Sequence, residues 1–225
     1  MKNLRFLFLT SLIVQCNLIL YSQNFGTWNV LQLKHKFHND WVINGETQLR
    51  SLSFYSQFHY YEFNGSILKQ FTKECGISLG AGNFNTFSPG GNFHAPQVAK
   101  EIRITTLVLL NQHVGKLEIE NRYKVEFRKF PSAFKYRVRY RLGLAYPIQR
   151  DGKLKVVLAN ELFTSISKVT AANQSIFEKN RISSGLQLKL RQNIQITIGY
   201  LEQYDTRYYD ETGKRFFQLT TTIIL

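Results

Sequence analysis

Residues 122–147 read RYKVEFRKFPSAFKYRVRYRLGLAYP. Two runs carry a charge at every second position: Arg122, Lys124, Glu126 and Arg128, then Lys135, Arg137, Arg139 and Arg141. Between them stand Tyr123, Val125 and Phe127, then Tyr136, Val138, Tyr140 and Leu142. Alternation at period two predicts a strand hairpin with one charged and one apolar face. Which face is inside decides the fold. A soluble sheet buries its apolar face, whereas a membrane barrel turns that face to lipid and keeps the charges in its lumen.

Strand length favours the barrel. Alternating segments are expected at 25–37, 41–54, 57–71, 75–87, 98–112, 116–129, 134–147, 153–164, 179–191, 194–205 and 214–225. Strands of globular proteins usually run to about five or six residues. A tilted strand needs about 9 to 11 residues to cross the hydrocarbon alone. The connections alternate too. Short turns are expected at His38-Asn39-Asp40, Thr72-Lys73-Glu74, His113-Val114-Gly115, Arg150-Asp151-Gly152 and Gln192-Asn193. Longer loops are expected at Ser88–Gln97, Ser165–Glu178 and Thr206–Gly213. Short turns on one rim and long loops on the other suit an up-and-down outer-membrane barrel. Bacterial single-chain barrels have an even strand number. Eleven segments therefore point to ten or twelve strands, with twelve favoured. The last segment, RFFQLTTTIIL, sets Phe217, Leu219, Thr221, Ile223 and Leu225 on one face. It is expected to close the barrel against the strand beginning near Phe25. Barrels of this kind usually end on an aromatic residue, and Leu225 departs from that.

The chain start agrees. Lys2 and Arg5 precede an apolar stretch from Phe6 to Leu20, followed by Tyr21-Ser22-Gln23. This is the order of a signal peptide, residues 1–22, with the barrel at 23–225. A lipoprotein reading through Cys16 is weaker, because Gln15 stands where a small residue belongs. Loss of Lys2 and Arg5 leaves 27 of the 29 basic residues against 15 acidic ones, so the exported chain stays strongly basic. Cys75 would then be the single cysteine, which excludes an intramolecular disulfide. The 30 Phe and Tyr residues and 4 prolines suit long strands.

Parity extends the charged face along the chain. It gathers Glu46, Arg50, Glu101, Arg103, Glu118, Glu120, Arg122, Glu126, Arg128, Arg137, Arg139, Arg141, Glu161 and Arg181 as a candidate lumen network. Lys124, Lys135 and Lys189 share that face. The opposite face carries Trp41, Ile43, Ile102, Ile104, Val108, Ile182, Leu186, Leu188, Ile194, Ile196 and Ile198 among others. Turn positions then suggest pairings: Arg141 with Glu161, Arg103 with Glu126, Glu101 with Arg128, and Glu126 with Arg137. Carboxylates and guanidiniums would interleave, because inward charges need partners and Arg offers bidentate geometry. The aromatics are expected on the opposite face.

The chain resembles the outer-membrane barrels grouped as domain-of-unknown-function family 2490. The resemblance rests on Trp28, Glu46, Arg50, Glu101-Ile-Arg103, the run Arg122 to Arg128, Arg137 to Leu142, Pro147, Glu161, Asn180-Arg181 and Gly199-Tyr200. It covers nearly all of the chain after residue 22. It implies a barrel in the outer membrane of a Gram-negative cell. It implies no established activity.

Other classes are less well served. A hydrolase needs a nucleophile, a base and an orienting group together. The five histidines, His35, His38, His59, His94 and His113, show no such spacing, and there is no G-x-S-x-G stretch. An outer-membrane lipid hydrolase is therefore the weakest reading, and no enzyme, cofactor or metal site is expected. Nucleic acid is not an expected partner either, since a binding platform needs bases and aromatics on one face. The expected partners are outer-membrane lipid and a small anionic or polar ligand, because bases outnumber acids on the charged face. The expected role is structural or ligand-binding, with a small anion-preferring channel as the alternative.

Overall fold

The computed structural model describes residues 25–38, 40–166, 176–205 and 213–225. The expected signal peptide lies outside them. Eleven strands form among the described residues: β1 (Phe25–His38), β2 (Trp41–Ser53), β3 (Ser56–Gln70), β4 (Cys75–Phe87), β5 (Gln97–Val114), β6 (Leu117–Lys129), β7 (Phe134–Pro147), β8 (Leu154–Ser165), β9 (Phe177–Arg191), β10 (Ile194–Asp205) and β11 (Lys214–Ile224). Each pairs with its chain neighbours, and β11 returns to β1, so the sheet closes into a barrel.

The expected even count, ten or twelve with twelve favoured, is corrected to eleven among the described residues. An odd number makes the first and last strands run the same way. The closing pair β1–β11 is accordingly parallel, with Trp28 opposite Gln218 and Leu31 opposite Thr221. The other ten pairs are antiparallel. The expected partnership of the last strand with the first holds. Leu225 N–H adds a bond to the Lys34 carbonyl at 2.8 Å.

Connections sort by rim. One rim carries the short turns 71–74, 115–116, 148–153 and 192–193, and there β1 ends and β2 begins. The other carries the 88–96 loop and the tight connections Phe54-Tyr55 and 130–133, and there β8 and β10 end and β9 and β11 begin. We call them the short-turn and long-loop rims. β1 starts at the long-loop rim, and β11 ends at the short-turn rim.

The turn between β5 and β6 corrects one register. Val114 pairs with Leu117, so the turn is the two-residue Gly115-Lys116 and not 113–115. Gly115 has φ +60°, the left-handed conformation that such a turn favours. This shifts the expected pairing by two residues: Arg103 faces Arg128, and Glu126 faces Thr105. Elsewhere the wall bends where backbones come close. Gly185 and Gly199 face each other across β9 and β10. A Cβ on Gly199 would lie 2.4 Å from the Ser184 carbonyl oxygen, so only glycine fits that bend.

The two faces of the wall differ sharply. Phe127 is 47% exposed and Ile104 is 57% exposed on the outside. Their neighbours Glu126 and Arg103 are 1% and 8% exposed on the inside. The barrel thus wears its apolar side chains outward and fills its interior with charge.

Candidate functional site: the barrel lumen

Alternation alone brings the lumen charges inward, and the strand register decides which of them meet. β6 and β7 set Glu126 opposite Arg137, as the hairpin predicted. Arg137 Nε donates to Glu126 Oε2 at 2.7 Å, and Arg139 Nη1 donates to Glu126 Oε1 at 2.6 Å. Arg139 Nε also reaches Glu161 at 3.0 Å. Arg181 lies 3.5 Å from the other Glu161 oxygen. Arg128 grips Glu101 with two bonds of 2.9 Å, and Arg103 Nε adds a third at 2.8 Å. The expected Glu101–Arg128 pair therefore forms, but diagonally. Arg103 has Glu101 as its carboxylate and does not pair with Glu126. Arg141 stands opposite Glu161 in the ladder, as expected, yet its ion pair is with Glu120 at 3.5 Å.

The remaining expected residues lie nearer the short-turn rim or on β2. Glu120 also takes Arg122 at 2.8 Å, and Glu118 takes Lys155 at 2.7 Å. Glu46 is held by amides: Gln32, Gln48 and Asn64 donate at 2.7, 2.6 and 3.3 Å. Arg50 pairs with Glu62 at 3.2 Å.

Aromatic side chains complete this network, contrary to their expected place on the outer face alone. Trp28, Tyr60, Phe84, Phe163 and Phe216 are buried inside. Arg50 lies between two of them, 3.4 Å from the Trp28 ring centre and 3.9 Å from that of Tyr60. Arg181 approaches Trp28 at 4.7 Å and Phe163 at 4.5 Å. Arg139 meets Phe163 at 4.6 Å, and Arg103 meets Phe84 at 3.8 Å. A planar, weakly hydrated guanidinium can stack on a ring while its edge bonds a carboxylate. That is why an aromatic ring is stable in a charged lumen. The result is a belt of stacked and paired side chains near the long-loop rim, running from Tyr60 on β3 through β2, β1, β9 and β8 to β7. Joined to it through Trp28, the side chains of Trp28, Val30, Leu201 and Phe216 form a small apolar cluster, with Trp28 and Phe216 edge to face at 5.5 Å.

Sequence reasoning missed three acids. Glu62 accepts from Tyr60 Oη as well as Arg50, and its parity with Asn64 and Ser66 was there to read. Glu178 bonds Arg137 at 3.4 Å and lies 3.7 Å from Arg128. The ladder shifts between Phe163 and Thr164, which places Glu178 in a bulge, and its side chain is buried. Alternation cannot reveal such a residue. Asp205 pairs with Lys179 at 3.1 Å at the end of β10.

Two cavities among the described residues bear on the site. One of about 390 Å³ is lined by residues of all eleven strands, most of them on β2 to β6, between the levels of Thr86 and Leu109. A second of about 620 Å³ reaches the short-turn rim beside Asn111 and His113. Lys34, Arg122 and Lys124 border both.

No curated protein sequence matches this chain. A solved structure described as the NanC porin in a rhombohedral crystal form is similar, with a TM-score of 0.54 and 12% identity. The match covers 86% of this chain and 91% of that one. At this identity the likeness concerns the fold. A family described as "Protein of unknown function (DUF2490)" matches residues 25–212, and the chain belongs to that family.

Proposed function

We propose that the chain is an integral outer-membrane β-barrel, exported by a signal peptide at residues 1–22, whose Arg/Glu/aromatic network holds its shape and restricts passage through its lumen. One observation carries this reading: the apolar residues face outward from a closed wall while paired arginines and carboxylates fill the inside. Lipid demands that arrangement, since closure satisfies every backbone group and an apolar band meets the acyl chains. Each buried charge needs a partner, and the belt supplies one for each of its guanidiniums. The role is then structural or ligand-binding rather than catalytic. Expression of the full chain followed by fractionation and N-terminal mass spectrometry tests it. The expected result is a heat-modifiable outer-membrane protein beginning at Gln23. A cytosolic protein retaining Met1 would overturn it.

A specific observation favours a second reading, a small anion-preferring channel. The two cavities share Lys34, Arg122 and Lys124 among their lining residues, which supports a polar path beside the belt. In that case solute flux, and not only binding, would be measurable.

A further inference from the structure

We infer that the meeting point of the two cavities is a binding site for a small oxyanion, a free solute bearing a phosphate or carboxylate group, held by Lys34, Lys124 and Arg122, with Arg141 beside them in the second cavity. The inference rests on the reading of the barrel interior as a lumen. Its first support is the ladder between β6 and β7. Arg122 stands directly opposite Arg141, and Lys124 directly opposite Arg139. Like charges across a ladder repel unless something negative lies between them. Some of that negative charge is present. Glu120 serves both Arg122 and Arg141, and Glu126 and Glu161 serve Arg139. Lys124 has no carboxylate within ion-pair distance among the described residues, and neither has Lys34.

Glu46 is the second support. Among the described residues it is the one carboxylate that neighbours both lysines, beside Glu120 for Lys34 and Glu126 and Glu161 for Lys124, which are already engaged by arginines. Its oxygens are instead occupied by the amides of Gln32, Gln48 and Asn64. Two ammonium groups with three donors each therefore face the space where the cavities join. That space is bordered by polar wall and is open from the short-turn rim. An oxyanion there would accept charge-assisted bonds from both lysines and relieve the repulsion along the ladder.

The test uses the purified full chain, folded in detergent micelles, with inorganic phosphate as the probe. Calorimetric titration against phosphate is compared with sodium chloride at matched ionic strength. Saturable binding is expected with phosphate only. Lys124→Gln and, separately, Lys34→Gln should each weaken it by about tenfold or more, the loss of one charge-assisted bond. Lys153→Gln, in an exposed turn, should leave it unchanged. Equal responses to chloride and phosphate, or undiminished binding in both lumen variants, would overturn the site while a heat-modifiable barrel still upheld the lumen. A protein that shows no heat-modifiable barrel would overturn both.

Discussion

Glu126 accepts from two arginines at once, and no water-facing edge of it remains: it is 1% exposed. Removing it strands part of the charge of Arg137 and Arg139 in a poorly hydrated interior. Glu126→Ala should therefore destabilise the barrel by about 3–5 kcal/mol if its surroundings stay dry, and by less if water enters. Replacing Arg137 as well should recover part of the loss. Denaturant unfolding in micelles, followed by circular dichroism, measures both. A double variant no more stable than the single one would show that the pair is not coupled. At this scale the sequence was legible where alternation is strict. Arg122 to Arg128 and Arg137 to Arg141 were placed on the inner face from parity alone. Trp28, Tyr60, Phe84 and Phe163 were not, because residue type suggested the outer face. What brings them in is stacking with arginines from other strands, which no local pattern records. Glu178 was hidden for another reason, since its bulge breaks the period on which parity depends.

Strand positions were readable to within a few residues, because eleven long alternating runs are separated by turn residues. Register was harder. A turn read as three residues at 113–115 is two residues at 115–116, and that slip moved the β5–β6 pairing by two. A shift of two keeps every side chain on its face, so the faces survived while the partners changed. Strand number differs as well. Eleven alternating runs stand in the sequence, and the even-number rule for bacterial barrels predicts ten or twelve strands instead. Parallel closure of β1 on β11 resolves it. Closure can be checked chemically. Leu31 and Thr221 are register partners on the outer wall. Neighbouring strands lie about 4.8 Å apart, within the about 4.4–6.8 Å that a disulfide spans. In a Cys75→Ser background, Leu31→Cys with Thr221→Cys should oxidise to a cross-linked species. Leu31→Cys with Arg215→Cys should not, since Arg215 pairs with Phe25 six residues away along β1. The reverse pattern would require a different closure.

For the whole molecule, the proposed outer-membrane location predicts that the short turns face the periplasm, as they do in barrels of that membrane. His94, in the exposed 88–96 loop, and Lys153, in a short turn, lie at opposite rims. With Cys75→Ser in place, His94→Cys should react with a membrane-impermeant maleimide on intact cells, and Lys153→Cys only after the cells are opened. Labelling of both on intact cells would contradict the topology. In the proposed function, stacked and paired side chains obstruct the lumen near the long-loop rim. Planar-bilayer conductance of the purified protein measures that obstruction. Wild type should pass little steady current, and combined replacement of Arg50, Glu126, Arg137 and Arg139 by alanine should open a clear one. A steady anion-selective current through the wild type, unchanged by those replacements, would mean that the network does not block the lumen.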